Sequence, residues 1–296
     1  MARLVSFPDD FSGLRDYAMA GSTCCTVALF QGTAKPLDVL YNVGKIMVGM
    51  RRAAAAGADL VIFPELFLSE YNAVIGADAI SDLTRLAEEK YGASFVKISA
   101  AAKENGIAVI YGYPEVDRSS GEEKYYNSAQ FVDKNGCSLL NYRKVHLWEV
   151  AEKESFVPGD GFPVVDWNGI NVGLLICYDV DFPEAVRSLA LKGAQLVVVP
   201  TASYTRKFQN NSTKLVPARA LENQLHIAYV NYAGEPYRGL SRLSNPLGNT
   251  VVCAGSEEAL LIAQISTKTL LSFSYLGDRK PELYGELGNP SSAGTP

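Results

Sequence analysis

Three side chains, far apart along the chain, have the types and settings that acyl-transfer chemistry needs. Cys177 closes the apolar run NVGLLI and is followed by YDVDFPE, so it stands where a strand gives way, through a tight connection, to a helix. Open α/β sheets place their sites at such carboxyl ends of strands. Backbone N–H groups at a helix start can stabilise a thiolate and a developing oxyanion. Glu65 ends the apolar run ADLVIFP, where partial desolvation raises a carboxyl toward the range of a general base. Lys144, in NYRKVHLW, offers fixed positive charge to an oxyanion. Glu152, in AEKESFVPGD, is a further carboxylate on a stretch read as irregular. Taken singly, each has a plainer reading: an inert buried thiol, an exposed loop carboxylate, a lysine with its stem on apolar surface and its head in water, a solvated charge beside Lys153 and Glu154. Cys24, Cys25, Cys137 and Cys253 keep the inert reading.

The elements that must position these residues alternate between strands and helices. Strands are expected over 26–31, 58–65, 107–116 and 194–202, and helices over 38–57, 81–105, 182–193 and 215–224. The middle changes rhythm. A Lys134-Asn135-Gly136 turn between YNSAQFVD and CSLLNYRKVHL, and Asn168-Gly169 between two further strands, are hairpin signals. The last strands lie in HIAYVNYAGE, NTVVCAG and ALLIAQIS, with a turn at 245–248. Continuous Val/Ile/Leu strands covered by helices, mixed with hairpins, give an α/β class with mixed sheets. Residues 1–22 read as an N-terminal extension, 23–284 as one domain, and 285–296 as a Gly/Pro/Ser-rich flexible tail.

Composition excludes several classes. The chain has 296 residues and a net charge of −5 with no Lys/Arg block, which gives no reason to expect nucleic acid or an anionic membrane surface as partner. No apolar run approaches the roughly 18 residues of a membrane span, and the acidic N-terminus lacks a signal-peptide core. The cysteines number five, an odd count, two of them adjacent, so free thiols in a reducing cytoplasm are expected rather than a disulfide framework. His146 and His226 stand in no CxxC or HExxH setting, so no zinc site is expected.

Together the segments resemble the nitrilase superfamily of carbon–nitrogen hydrolases, over about Thr26 to Tyr284. PELFLSEY is similar to that family's glutamate segment, NYRKVHLW to its lysine segment and GLLICYDVDFPE to its cysteine segment, in the family's order. AEKESFVPGD is similar to the stretch that carries an additional glutamate in many amidase members, which maps to Glu152; VPARALENQ and DRKPELY also resemble family segments. The resemblance implies a four-layer αββα sandwich, two sheets facing each other with helices outside. It implies subunits that pair through a helical face into a homodimer or higher homo-oligomer, near FPEAVR and the C-terminal segment. It further implies that Glu65 takes the proton of Cys177, that the thiolate attacks a carbonyl, and that Lys144 and the Tyr178 backbone N–H hold the oxyanion. A thioester forms and water releases the acid, with Glu152 positioning Lys144 or the amide, or assisting proton transfer. No metal or organic cofactor is required.

The residues after the nucleophile narrow the substrate. Family nitrilases carry Trp-Glu next to the cysteine, whereas Tyr178 stands here, so a small-molecule amide is favoured over a nitrile. N-carbamoyl-D-amino acid hydrolases carry arginines at the positions of Val180 and Asp181, and an aspartate repels a substrate carboxylate that arginine would clamp. Neutral or cationic amides are therefore expected, with Tyr71, Tyr178 and Asp181 as substrate-binding residues; the plainer reading of Asp181 is a helix N-cap. Competing readings are an N-carbamoyl amine hydrolase of the carbamoylputrescine type, a nitrilase, an amide acyltransferase and a silent binding scaffold. A Ser–His–Asp hydrolase has little support, since no GxSxG elbow exists and His146 reads as shaping the lysine strand.

Overall fold

The computed structural model describes residues 23–204, 211–267 and 274–288. The extension expected over 1–22 and residues 289–296 of the expected tail lie outside these, while Gly285–Gly288 form a 3-10 turn. Strands β1 (Cys24–Gln31), β2 (Leu60–Ile62), β3 (Ala108–Asp117), β4 (Lys124–Val132), β5 (Ser138–Arg143) and β12 (Ala259–Ser266) form one six-stranded sheet in the order β12-β1-β2-β3-β4-β5. Strands β6 (Val164–Trp167), β7 (Ile170–Leu174), β8 (Leu196–Pro200), β9 (His226–Val230), β10 (Arg242–Ser244) and β11 (Thr250–Cys253) form the other, in the order β11-β10-β9-β8-β7-β6. Each sheet has the same plan. Three central strands run parallel, β1-β2-β3 or β7-β8-β9, and antiparallel partners flank them. The mixed α/β sandwich is as expected.

Strand periodicity builds the layers. On β1, Val27 and Leu29 join the core shared with the second sheet, while Ala28 and Phe30 join a core under α1 (Val39–Ala55) and α3 (Ala93–Asn105). Helix α1 sends Val43, Ile46, Met50 and Ala53 into that outer core, and α3 sends Ile98, Ala101 and Ala102. On the far side, α5 (Pro183–Leu191) and α6 (Val216–Asn223) bury Val186, Leu189 and Ala220 against the second sheet. Local signals set the ends: Asp38 accepts from the Tyr41 N–H at the start of α1, and Gly106 closes α3 at φ 63°. The two hairpin turns are present, with Gly136 at φ 83° and the Asn168-Gly169 pair at φ 55° and 79°, as a two-residue primed turn requires.

Three expectations are corrected. Residues 81–105 are two helices, α2 (Ile80–Leu86) and α3. Between them Glu88 bridges in parallel to Glu115, and its carboxylate caps α3 by accepting from Ser94 N–H at 2.7 Å and Ser94 Oγ at 2.6 Å. A third strand edge thus captures a segment that helix propensity alone would have kept. The stretch around Glu152 is not irregular but forms α4 (Glu149–Ser155). Of the cysteines read as buried, Cys25 is buried, whereas Cys24, Cys137 and Cys253 are exposed. Cys137 leaves a hairpin turn, and Cys253 ends the sheet-edge strand β11, which is largely exposed.

Candidate active site

Loops at the carboxyl ends of strands from both sheets bring the sequence candidates together. Glu65 follows β2 on a turn that passes tightly over β3. A side chain in place of Gly112 would put its Cβ 2.3 Å from Leu66 N and 2.8 Å from Glu65 Cα, so the close approach depends on that glycine. Leu66 takes φ 48°, and Gly112 O accepts the Leu68 N–H at 3.2 Å. Lys144 follows β5, where its N–H donates to Asn127 O at 2.9 Å and its carbonyl accepts from Gly159 N–H at 2.8 Å. A Cβ on Gly159 would lie 2.2 Å from Arg143 O, so this contact too needs a glycine. Glu152 arrives on α4.

The side chains of Glu65, Lys144 and Glu152 are fully buried. Lys144 Nζ donates to Glu65 Oε1 at 2.7 Å and to Glu152 Oε1 at 2.6 Å. Glu152 Oε1 also accepts from Tyr71 OH at 2.6 Å, and its Oε2 from the Trp148 N–H at 2.9 Å. Glu65 Oε1 accepts from Asn127 Nδ2 at 2.8 Å, and Tyr232 OH holds the Glu65 backbone carbonyl at 2.8 Å. Among the described residues Glu65 Oε2 is buried without a hydrogen-bond partner. Such an oxygen is costly unless a reacting group uses it.

The charges follow from this packing. Burial pushes the Glu65 carboxyl up toward neutrality; Lys144 opposes that and Glu152 adds to it. Burial pulls on the Lys144 ammonium in the opposite sense, but the carboxylates of Glu152 and Glu65 win and hold it charged, above its ordinary value. The cluster therefore supplies a permanent cation and a carboxylate that takes a proton readily.

Cys177 opens a 3-10 turn, Cys177–Asp181, directly after β7, at φ 45°. That left-handed conformation costs a non-glycine residue about 1–2 kcal/mol, so the surroundings must enforce it. Asp179 does so. Its buried carboxylate accepts from the Ile176 N–H at 3.0 Å, the His146 N–H at 2.8 Å and Tyr142 OH at 2.7 Å, and His146 Nδ1 lies 2.8 Å away. One carboxylate thus ties the cysteine loop to residues on both sides of Lys144. The His146 ring stacks on Phe182 at 3.8 Å, which places it as a positioning group for these loops. Burial pushes the Cys177 thiol well up, with Glu65 adding to it, while Lys144 and the backbone of Ala202 favour the thiolate. The resting group is accordingly a thiol that needs a base.

Cys177 is half-buried and faces a cavity of about 330 Å³ including its open mouth, lined also by Tyr71, Trp148, Tyr178, Asp181, Ala202, Ser203 and Tyr204. All three sequence-predicted binding residues, Tyr71, Tyr178 and Asp181, lie on its wall. Asp181 is not the cap of α5, whose N-cap is Phe182. Sequence reasoning missed Asn127, Asp179, Trp148 and Tyr204. Only Asp179 carried a signal, an acid placed among the apolar residues of LLICYDV. Among the described residues no group of three or more His, Cys, Asp or Glu side chains is set to hold a metal ion.

The chain is similar to known proteins over most of its length. Residues 26–275 match the family model described as carbon-nitrogen hydrolase. A hydrolase in the pqqF 5′ region of Pseudomonas protegens is 40% identical over 280 residues, 91% of this chain and 94% of that protein. An (R)-stereoselective amidase from Pseudomonas sp is 34% identical over 88% of this chain and 93% of that one. A solved variant of the amidase from Nesterenkonia sp. AN1, with acrylamide joined to its active site cysteine by Michael addition, is 34% identical with a TM-score of 0.74, covering 88% of this chain and 98% of that chain.

Proposed function

The chain belongs to the carbon–nitrogen hydrolase family and is a hydrolase of carbon–nitrogen bonds other than peptide bonds, and from that premise we propose that it is an amidase converting a small carboxamide to its acid and ammonia through a thioester on Cys177. The observation that carries this reading is the buried Lys144 ammonium clamped between Glu65 and Glu152 beside a cysteine that opens into an aromatic-lined cavity.

Glu65, whose Oε2 has no hydrogen-bond partner among the described residues, takes the Sγ proton as the sulfur attacks the amide carbon. The carbon–oxygen π electrons move onto oxygen, where Lys144 Nζ and the Tyr178 backbone N–H stabilise them, in a dry site that strengthens the interaction. The tetrahedral intermediate collapses, the carbon–nitrogen bond breaks, and the nitrogen leaves as ammonia with the proton Glu65 took. Water then gives a proton to Glu65 and attacks the thioester; the carbon–sulfur bond breaks and the thiolate recovers a proton from Glu65. Glu152, anchored by Tyr71 and Trp148, keeps Lys144 aimed and charged. Tyr71, Tyr178 and Asp181 face the acyl group, and the carboxylate of Asp181 disfavours an acyl group that carries one of its own.

The test is ammonia release across matched amides, nitriles and N-carbamoyl amines, with Cys177→Ala alongside. Ammonia and acid from an amide, and none from the variant, are the expected outcome. The denatured wild type should carry the acyl mass on Cys177 during turnover. Carbon dioxide released together with ammonia would favour the N-carbamoyl reading, and activity surviving in Cys177→Ala would falsify the nucleophile.

A further inference from the structure

Between the glutamate turn and the cavity mouth lies a second polar network that the chemistry above leaves unused. Glu70 is buried, 7% exposed, and held at φ 69°, a left-handed conformation that its neighbours must enforce. Tyr237 OH donates to Glu70 Oε1. Asn72 Nδ2 donates to Tyr237 OH at 2.8 Å and lies 3.3 Å from Glu70 Oε1. Tyr204 OH in turn donates to Asn72 Oδ1. The chain Glu70, Tyr237, Asn72, Tyr204 therefore ends on a ring that lines the cavity.

The rings repeat the same path. Tyr204 stacks on Tyr237 at 5.4 Å and Tyr237 on Tyr232 at 4.5 Å, and Tyr232 OH holds the Glu65 carbonyl. The backbones of Tyr204 and Tyr237 also bridge. Tyr71, between Glu70 and Asn72 in sequence, points the other way, to Glu152. One tripeptide thus holds a carboxylate of the reacting cluster on one side and the cavity wall on the other.

We infer that Glu70 and Asn72 are positioning residues that fix the Tyr204 wall and so set how large and how flat an acyl group the cavity takes. The inference rests on the amidase reading and deepens it. Tyr204 meets Tyr71 at 6.1 Å and Trp148 at 5.8 Å, a corner of three rings suited to an aromatic acyl group, and no atom of Asn72 or Glu70 lines that corner. Releasing the wall weakens binding of a large acyl group while a small one, which does not reach the corner, reacts as before.

The experiment compares kcat and KM for acetamide and phenylacetamide in wild type, Asn72→Ala, Tyr204→Phe, the double variant and Glu70→Gln, with thermal melts to verify folding. Loss of one hydrogen bond to the wall should raise KM for phenylacetamide about five- to tenfold in Asn72→Ala, with kcat for acetamide within about twofold. Tyr204→Phe, which removes one hydroxyl and is the fallback where Asn72→Ala folds poorly, should raise KM in the same direction by a similar or smaller factor, since the Asn72–Tyr237 bond remains. The double variant should do no worse than Asn72→Ala, because that change already cuts the bond Tyr204→Phe removes. Glu70→Gln, which keeps an acceptor for Tyr237, should show a smaller change of the same kind. Unchanged KM values, additive effects, or a parallel fall in kcat for both amides would overturn the inference. A wild type that cleaves both amides while the variants keep its selectivity sinks this inference alone; a wild type that cleaves neither sinks the amidase reading and the inference with it.

Discussion

Arg143 and Lys144 are consecutive cations, each set between two carboxylates, and they do opposite things. Arg143 NH2 pairs with Glu115 at 2.5 Å and Asp117 at 2.8 Å, its guanidinium lies 3.8 Å from the Tyr126 ring centre, and its side chain is 30% exposed. Lys144 pairs with Glu65 and Glu152 in a cluster with no exposure at all. Successive residues of an extended chain face opposite sides, so one step along the chain moves the cation from a solvent-facing groove to the site. The acids differ in the same way. Glu115 Oε1 is taken by Arg143, and its Oε2 accepts from Ser128 Oγ at 2.6 Å and Asn141 Nδ2 at 2.7 Å. Glu65 keeps Oε2 without a partner among the described residues. A structural ion pair saturates its oxygens; the reactive one leaves an oxygen for a proton in transit.

The strongest way to break this comparison is to remove each cation. Lys144→Met should lower kcat/KM for the amide by about a thousandfold or more, since it removes an oxyanion partner and leaves buried carboxylates uncompensated. Arg143→Met should leave kcat within about threefold and cost about 1–3 kcal/mol of stability, since the buried Glu115 loses its cation. Steady-state kinetics and chemical denaturation of both variants decide it, and comparable catalytic losses would erase the distinction.

Next comes pH. Burial raises the Glu65 carboxyl, and the base must be ionised to work, so kcat/KM should fall as pH drops through neutrality. The sign for stability is opposite. A carboxyl with a raised folded value favours the folded state at low pH and withdraws that contribution as pH rises from the ordinary glutamate range toward neutrality. Glu65→Gln should abolish both the acid limb of the rate profile and this stability trend. A rate profile flat from pH 5 to 8 in wild type would show that the carboxyl is not the base. The smallest effect on rate is expected at the saturated acid. Glu115→Gln should lower stability by about 1–3 kcal/mol, the range for disturbing a buried hydrogen-bonded group, and leave the pH profile of kcat/KM where it was, as thermal melts and rate profiles at matched pH would show.

Much of this was legible in the chain because it is local. Three motif segments named Glu65, Lys144 and Cys177; Gly136 and the Asn168-Gly169 pair marked turns that only positive φ values allow. The reading of 81–105 as one helix failed because Glu88 pairs with a strand distant in sequence, a force no helical periodicity records. The helix of α4 was missed because its periodic run is one short stretch, Glu149–Ser155, opened by a residue at φ 50°.

What the sequence determined by itself was which chemical groups were present, which face of each strand or helix they occupied, and where the chain turned, since these depend on neighbours within a few residues. What only the tertiary structure decided was which oxygen of each acid finds a partner. Lys144 and Glu65 stand 79 residues apart in the chain and 2.7 Å apart in space. Burial, a raised carboxyl and an unpartnered oxygen are consequences of distance and dielectric, and neither is defined until the two sheets close upon one another.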